Sequence, residues 1–244
     1  MTDQLSIVEV LTARADTVRS DVGKDLVEVA AEVAGMRVDY VTDGLDVDEL
    51  APTWAEQLAR WLAEAAAAGE AEPNAMVLAT VDTDGRPATR TVLCKGLDDR
   101  GVAFYTNHTS AKGRALRLSR YASATFPWYL QHRQVHVRGP VELVSAEETE
   151  AYWASRPRGA QLGAWASAQS MVVRDRRALD DALSAAEQRF AQEDQVPLPA
   201  HWGGWRIRPE QVEFWQGRTD RMHDRLRYQL HALDGSWQVV RLAP

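Results

Sequence analysis

A single cysteine, Cys94, in 244 residues excludes an internal disulfide framework and fits a reducing cytoplasm. No apolar run approaches the roughly 18 residues that span a bilayer. The first residues, Met-Thr-Asp-Gln-Leu-Ser, lack the basic-then-apolar order of a secretory signal, so a cytoplasmic protein is expected. The six histidines (108, 132, 136, 201, 223 and 231) are scattered, and no Cys/His spacing suggests a metal centre. Gly-x-Ser-x-Gly is absent, as are the glycine-rich fingerprints of dinucleotide and P-loop sites. Cys94 sits in an apolar stretch that suits an inert buried thiol better than a nucleophile. Whatever reaction occurs therefore falls largely to a bound cofactor.

What is present is an ordinary globular composition, 45% hydrophobic and 26% charged. The net charge of −7 is unevenly placed: residues 1–75 carry 16 acids against 5 bases, and the rest 23 bases against 19 acids. A surplus of that size is too small for a nucleic-acid surface. It suffices for a few positive pockets that each hold a phosphate, so a small anionic ligand is expected.

Residues 1–35 read as an N-terminal arm, partly helical over Val22–Ala34 or else disordered, and 36–244 as one domain. Gly35 to Leu45 reads as an ordered loop or lid. A helix follows with Pro52 in its first turn, Trp54, Leu58, Trp61, Leu62 and Ala65 on one stripe, and Gly69 as its stop. Short β segments then dominate: Ala75–Val81 and Ala88–Lys95 as a hairpin, Val102–Thr106, Ser123–Tyr129, Val135–Val144, Trp205–Arg208, Gln211–Trp215, Arg225–His231 and Ser236–Arg241. Helices are expected at Ser110–Leu118, from a capping box at Ser145–Glu148 to about Ser155, and over Arg174–Gln192 with Leu179, Leu183, Ala186 and Phe190 buried. The sum is a mainly β, α+β fold: a barrel with helices packed around it.

Three clusters carry chemistry. In Glu213 to Arg225, a strand would put Arg221, His223 and Arg225 on one face, where an anion would relieve their repulsion and Trp215 could stack on a flat ring. In Arg90-Thr-Val-Leu-Cys-Lys95, the two cations face opposite sides unless Lys95 lies past the strand end; Lys112 stands near a helix N-terminus that favours phosphate. In Tyr152 to Ser170, Tyr152 and Arg156 are helical neighbours, Pro157 ends that helix, and a glycine-rich run lets backbone approach a ligand.

These residues, with Asn74-Ala-Met-Val77, Phe104-Tyr-Thr-Asn107, Phe126-Pro-Trp128, Ser155-Arg-Pro-Arg158, Gln161-Leu-Gly-Ala-Trp165, Trp202-Gly-Gly204 and Phe214-Trp-Gln-Gly217, resemble the pyridoxamine 5′-phosphate oxidase family from about Met36 to Pro244. The resemblance implies an FMN-binding split β-barrel that works as a homodimer with the flavin at the interface. It implies oxidation of pyridoxamine or pyridoxine 5′-phosphate to pyridoxal 5′-phosphate, with O2 as acceptor and hydrogen peroxide released. FMN contacts would come from Arg90, Thr91, Val92, Leu93, Cys94, Lys95, Tyr105, Thr106, Lys112, Gln134, Gln169, Ser170, Trp215 and Arg225. Lys95, Tyr152 and Arg156 would hold substrate phosphate. Arg221 and His223 would lie over the substrate ring as the catalytic pair, and Arg37 with Tyr40 would close as a lid. Two positions depart from the family pattern: Ala111, where a basic residue is usual, and Ala160, where a serine usually bonds the substrate phosphate. Two other readings compete: a related flavin oxidase acting on another small molecule such as a phenazine precursor, and an FMN- or pyridoxal-phosphate-binding protein without turnover.

Overall fold

A computed structural model describes residues 26–36 and 38–244, which fall in two compact units, Met1–Asp39 and Tyr40–Pro244. In the first, helix α1 spans Leu26–Gly35 and buries none of its residues. The start of the expected Val22–Ala34 helix and the lid residue Arg37 lie outside the described residues.

The second unit is built on antiparallel strands in the order β10-β9-β8-β6-β5-β1-β2, with β7 pairing both β6 and β4, and β4 pairing β3. Their spans are β1 Ala75–Val81, β2 Pro87–Leu93, β3 Gly96–Asp98, β4 Gly101–Asn107, β5 Tyr121–Trp128, β6 Arg133–Leu143, β7 Trp202–Ile207, β8 Gln211–Gln216, β9 Asp224–Leu230 and β10 Trp237–Arg241. The long β6 curls the sheet: Arg133–Arg138 pair with β8, then Val141–Leu143 pair with β7. Gly139 sits at the changeover, where a Cβ would lie 1.9 Å from the Arg208 carbonyl, so only glycine lets the chains cross there. The result is the expected barrel with flanking helices.

Helix α2 (Trp54–Ala67) plugs the barrel. Thr53 caps it in a full capping box with Glu56, so Pro52 precedes the cap instead of occupying the first turn, and Gly69 follows the last turn at φ +88°. Trp54, Leu58, Trp61 and Ala65 are buried as the stripe requires, with Leu62 partly buried. The Trp61 ring meets Phe214 edge-on at 5.2 Å and carries the Arg133 guanidinium 4.4 Å above its centre.

Three more helices flank the barrel before the C-terminal strands: α3 Ala111–Ser119, α4 Ala146–Ser155 and α5 Arg158–Ala166. A fourth, α6, covers Arg176–Arg189. Three expectations need correcting. The glycine-rich run after Pro157 is helix α5, held by Leu162 in a second core with Trp153, Phe190 and Trp202. On α6 only Ala186 and the following Phe190 are buried; Leu179 and Leu183 are exposed, because only the C-terminal end of the helix meets that core. At Ser145 half of the capping box forms: the hydroxyl accepts the Glu148 N–H at 3.1 Å, but the Glu148 carboxylate goes to Arg100 and Arg206.

Cys94 is buried with its thiol 3.3 Å from the Gly96 carbonyl, and burial pushes its pKa up to about 11. It is therefore expected to resist a thiol-specific reagent at pH 8 in the folded protein and to react fully on unfolding. Fast labelling of native protein would contradict that placement.

Among the described residues, no helix is long and apolar enough to cross a membrane, and no group of His, Cys, Asp and Glu could hold a metal ion.

Candidate functional site

The first cluster lies where β1, β2 and the start of α3 meet. Ser110 caps α3, accepting the Gly113 N–H at 3.2 Å. Gly113 is required there, since a Cβ would stand 2.4 Å from the His108 carbonyl oxygen. This docks the first turn so that Lys112 Nζ donates to Gln169 Oε1 at 2.9 Å and Thr106 Oγ1 at 3.3 Å. Arg90 donates to Thr80 Oγ1 at 2.7 Å and to the Leu78 carbonyl at 3.3 Å. These acceptors are all neutral. Burial and then the neighbouring Arg90 charge hold the Lys112 pKa below its ordinary value, and burial lowers that of Arg90. Two half-buried cations so close, balanced by hydroxyls and an amide, suit an incoming dianion. Lys95 does lie past the end of β2 and is exposed, while Thr91, Val92 and Leu93 remain on the strand. Ala111 is exposed at the start of α3, and Ser170 adopts φ +74° in the turn beyond α5.

A cleft of about 250 Å³ is lined from both clusters, by Thr106 and Gln169 of the first and by Arg156, Ala160 and Trp202 of the second. Two of its lining rings, Tyr105 and Trp202, belong to a three-ring stack with Tyr152. Tyr105 lies 4.1 Å from Tyr152 and 5.4 Å from Trp202, all close to parallel. Gly204 makes room, because a Cβ there would sit 2.8 Å from the Tyr105 ring. The Arg156 guanidinium rests 4.9 Å over Trp202 and donates to the Ala160 carbonyl at 3.0 Å, while its Nε is buried without a partner. Arg156 is not on the helix with Tyr152: α4 ends at Ser155 and Arg156 is extended. Shared packing on Trp202 brings the pair together instead. Gly163 also lines the cleft, and nothing lies within 4 Å of where its Cβ would be.

The third cluster corrects the single-strand expectation for Glu213 to Arg225. β8 ends at Gln216, and the chain turns through a short 3-10 segment, Thr219–Arg221, before β9. Asp220 and Arg221 take φ +54° and +59°, conformations that side chains rarely adopt and that cluster at functional sites. Arg221 is exposed at this turn. The His223 Nδ1 accepts the Arg218 N–H at 3.0 Å, leaving the ring proton on Nε2. Burial first, then the Arg221 charge, keep its pKa below 6.5, so the ring is neutral at pH 7. Trp215 lies 4.6 Å from His223, and Tyr40 stacks on His132 at 4.3 Å while standing 5.9 Å from His223. Arg225 opposite Trp215 pairs with Glu213 at 2.7 Å. Gln134 is the other cross-strand neighbour of Trp215.

Among the described residues, no hydrogen bond or ring contact joins Trp215, Arg221, His223 or Arg225 to the first two clusters. β8 and β2 are four strand steps apart in the sheet order, about 19 Å of sheet. Sequence reasoning assigned no site role to Trp202, Thr80, Glu213 or His132. Trp202 was visible only as part of a motif, and Glu213 shares a strand face with Trp215, a signal for a charge partner to Arg225. Nothing in the sequence marks Thr80.

His136 stands opposite Glu213 in the ladder, its Nδ1 3.0 Å from Thr125 Oγ1. Burial is the main cause of its lowered pKa; Glu213 pulls it up and Arg225 pushes it down. The folded state thus disfavours protonation that the unfolded chain accepts near 6.5. Stability is expected to hold above that pH and to fall as pH drops below it, and His136→Gln should flatten the fall. A wild-type denaturation midpoint that is level from pH 7.5 to 5.5 would contradict this.

In overall structure the chain is similar to PhzG from Burkholderia lata 383, solved with tetrahydrophenazine-1-carboxylic acid, at TM-score 0.76 and 34% identity over 83% of this chain and 99% of that one. A pyridoxamine 5′-phosphate oxidase-related, FMN-binding protein of Nostoc punctiforme shares the fold at TM-score 0.64 and 20% identity, covering 80% and 100%. The curled barrel and its cradle define an FMN-binding split-barrel flavoprotein. Residues 62–190 match the family profile described as pyridoxamine 5′-phosphate oxidase, and residues 202–244 that of the pyridoxine 5′-phosphate oxidase C-terminal dimerisation region. A pyridoxine/pyridoxamine 5′-phosphate oxidase of Saccharopolyspora erythraea is 60% identical over 215 residues, 88% of this chain and 96% of that protein. One of Mycobacterium tuberculosis is 58% identical over 201 residues, 80% and 89%. The chain belongs to the pyridoxamine 5′-phosphate oxidase family, and it is a homodimer that binds FMN. The Arg90–Lys112 cradle, with neutral acceptors throughout, fits the phosphate of that cofactor.

Proposed function

We propose that the protein oxidises pyridoxamine 5′-phosphate and pyridoxine 5′-phosphate to pyridoxal 5′-phosphate, consuming O2 and releasing hydrogen peroxide. The observation that carries this assignment is Arg156, its guanidinium 4.9 Å over Trp202 and its buried Nε unpartnered, at a cleft also lined by Thr106 and Gln169 of the cation cradle. Arg156 in the cleft wall, and Lys112 bonded to the Thr106 and Gln169 that also line it, suit two phosphates, one from the cofactor and one from the substrate. Bound FMN supplies a two-electron acceptor that O2 reoxidises.

The residues of the chain bind and orient. Arg90 and Lys112 neutralise the cofactor phosphate, with Thr106 and Gln169 completing its hydrogen bonds. Arg156, Tyr152 and Lys95 hold the substrate phosphate and set the ring's distance from the flavin. Trp215, Arg225, Arg221 and His223 are assigned to the other subunit's share of the site, because none of them lines the cleft of this chain. His223, neutral and with its proton on Nε2, donates to the substrate; Arg221 offsets negative charge on the ring. Tyr40, against Gly217 and His132, shuts that side to water.

Ala160 contributes no hydroxyl where its carbonyl already engages Arg156. Ala160→Ser is expected to lower KM for pyridoxamine 5′-phosphate about 5- to 100-fold, the worth of one charge-assisted hydrogen bond, at unchanged kcat. An unchanged KM would remove that account of the pocket.

The likeness to PhzG supports a second reading, oxidation of a reduced phenazine carboxylic acid. Peroxide release is the direct comparison: turnover with pyridoxamine 5′-phosphate and none with the phenazine precursor supports the first assignment, and the reverse result overturns it.

A further inference from the structure

Asp224 opens β9 between His223 and Arg225, with its side chain only 13% exposed. Its carboxylate takes donors from three separate segments. Oδ2 accepts the Leu45 backbone N–H at 3.0 Å and Arg218 at 3.3 Å, and Oδ1 accepts Arg241 at 2.5 Å. Arg241 returns to the first of those segments, donating to the Leu45 carbonyl at 3.2 Å and to Asp46 at 2.8 Å. The Thr42 hydroxyl donates to the Gly217 carbonyl at 2.6 Å. Gly44, at φ +92°, presses so close to Arg218 that a Cβ would stand 2.1 Å from its guanidinium. The backbone N–H of that same Arg218 holds His223 Nδ1. At the near end of the segment, Tyr40 covers Gly217, where a Cβ would lie 2.6 Å from its ring.

One carboxylate thus ties two loop segments into one wall. A solvated ion-pair cluster at a sheet edge would contribute little. This group differs because it is shielded and accepts the Leu45 backbone N–H. We propose that Asp224 is a positioning residue: it clamps residues 40–46 onto the 217–223 turn, so that Tyr40 and His223 meet the substrate ring from fixed positions. The consequence for substrate rests on the reaction assigned above; the clamp itself does not.

The test uses the full-length, FMN-loaded dimer carrying Asp224→Ala or Asp224→Asn, with hydrogen exchange followed over 40–46 and 217–223 and kcat and KM measured with pyridoxamine 5′-phosphate. Asp224→Ala is expected to speed exchange in both segments and raise KM, each about tenfold or more, with kcat changed about threefold or less. Asp224→Asn keeps an acceptor for the Leu45 N–H and recovers most of the exchange protection. Unchanged exchange overturns the clamp. Faster exchange with unchanged KM also overturns the proposal, because Asp224 would then only brace the edge. If Asp224→Ala does not fold, Arg241→Gln, on the exposed side of the cluster, must speed exchange over 44–46 for the proposal to stand. A wild type that leaves pyridoxamine 5′-phosphate untouched refutes the assigned reaction separately, and the exchange rates still decide the clamp.

Discussion

Arg90→Met is expected to weaken FMN binding by about 100-fold or more while leaving the barrel folded. The guanidinium stands half-buried beside Lys112 with only neutral acceptors around the pair. Each hydrogen bond it gives a phosphate is charge-assisted and contributes about 1.5–3 kcal/mol, so losing one or two of them accounts for that factor. The fold survives because the bonds Arg90 makes now, to Thr80 and the Leu78 carbonyl, lie at the side-chain end of a strand whose ladder to β1 is untouched. Titration of the apoprotein with FMN, followed by flavin fluorescence, reads the affinity, and circular dichroism reads the fold. Lys112→Met should act in the same direction. Wild-type affinity in Arg90→Met would move the cofactor phosphate away from this cradle.

The second large effect is expected at Arg156. Replacing it with leucine should raise KM for pyridoxamine 5′-phosphate by about 100-fold, with kcat falling far less, because the phosphate is bound alike in ground and transition states. The lysine variant should recover little. A compact ammonium lacks the planar fork that sits over Trp202 and donates to the Ala160 carbonyl with further N–H groups left for a phosphate. Steady-state oxygen uptake measures both constants. Equal losses in kcat and kcat/KM would instead make Arg156 part of the transition-state machinery.

Much of this was legible in the chain, for identifiable reasons. The short apolar run Ala75–Val81 and the Asp82-Thr-Asp-Gly-Arg-Pro87 turn mark the first hairpin, which pairs from Ala75 opposite Leu93 to Val81 opposite Pro87. Ser110 and Ser145 mark helix starts because their hydroxyls cap the first turn there. What was not legible depended on tertiary context. β3 has three residues, too few for a period to show. Two glycines and a proline made Arg158–Ala166 look like loop, and packing of Leu162 against Trp153 and Phe190 overrides that propensity. The left-handed pair Asp220–Arg221 turns the chain where no glycine announces it. The cation clusters themselves stood out by residue type, but which of them share a cleft did not. Tyr152 and Arg156 meet through Trp202, a residue 46 positions beyond Arg156 whose motif gives no sign of that contact.

The most direct measurement is an anaerobic titration of the FMN-loaded protein with pyridoxamine 5′-phosphate, watching the oxidised flavin's visible absorption band. The account predicts bleaching as substrate is added and full return of the band on admitting air, with pyridoxal 5′-phosphate and hydrogen peroxide formed. A flavin that stays oxidised at saturating substrate would contradict it.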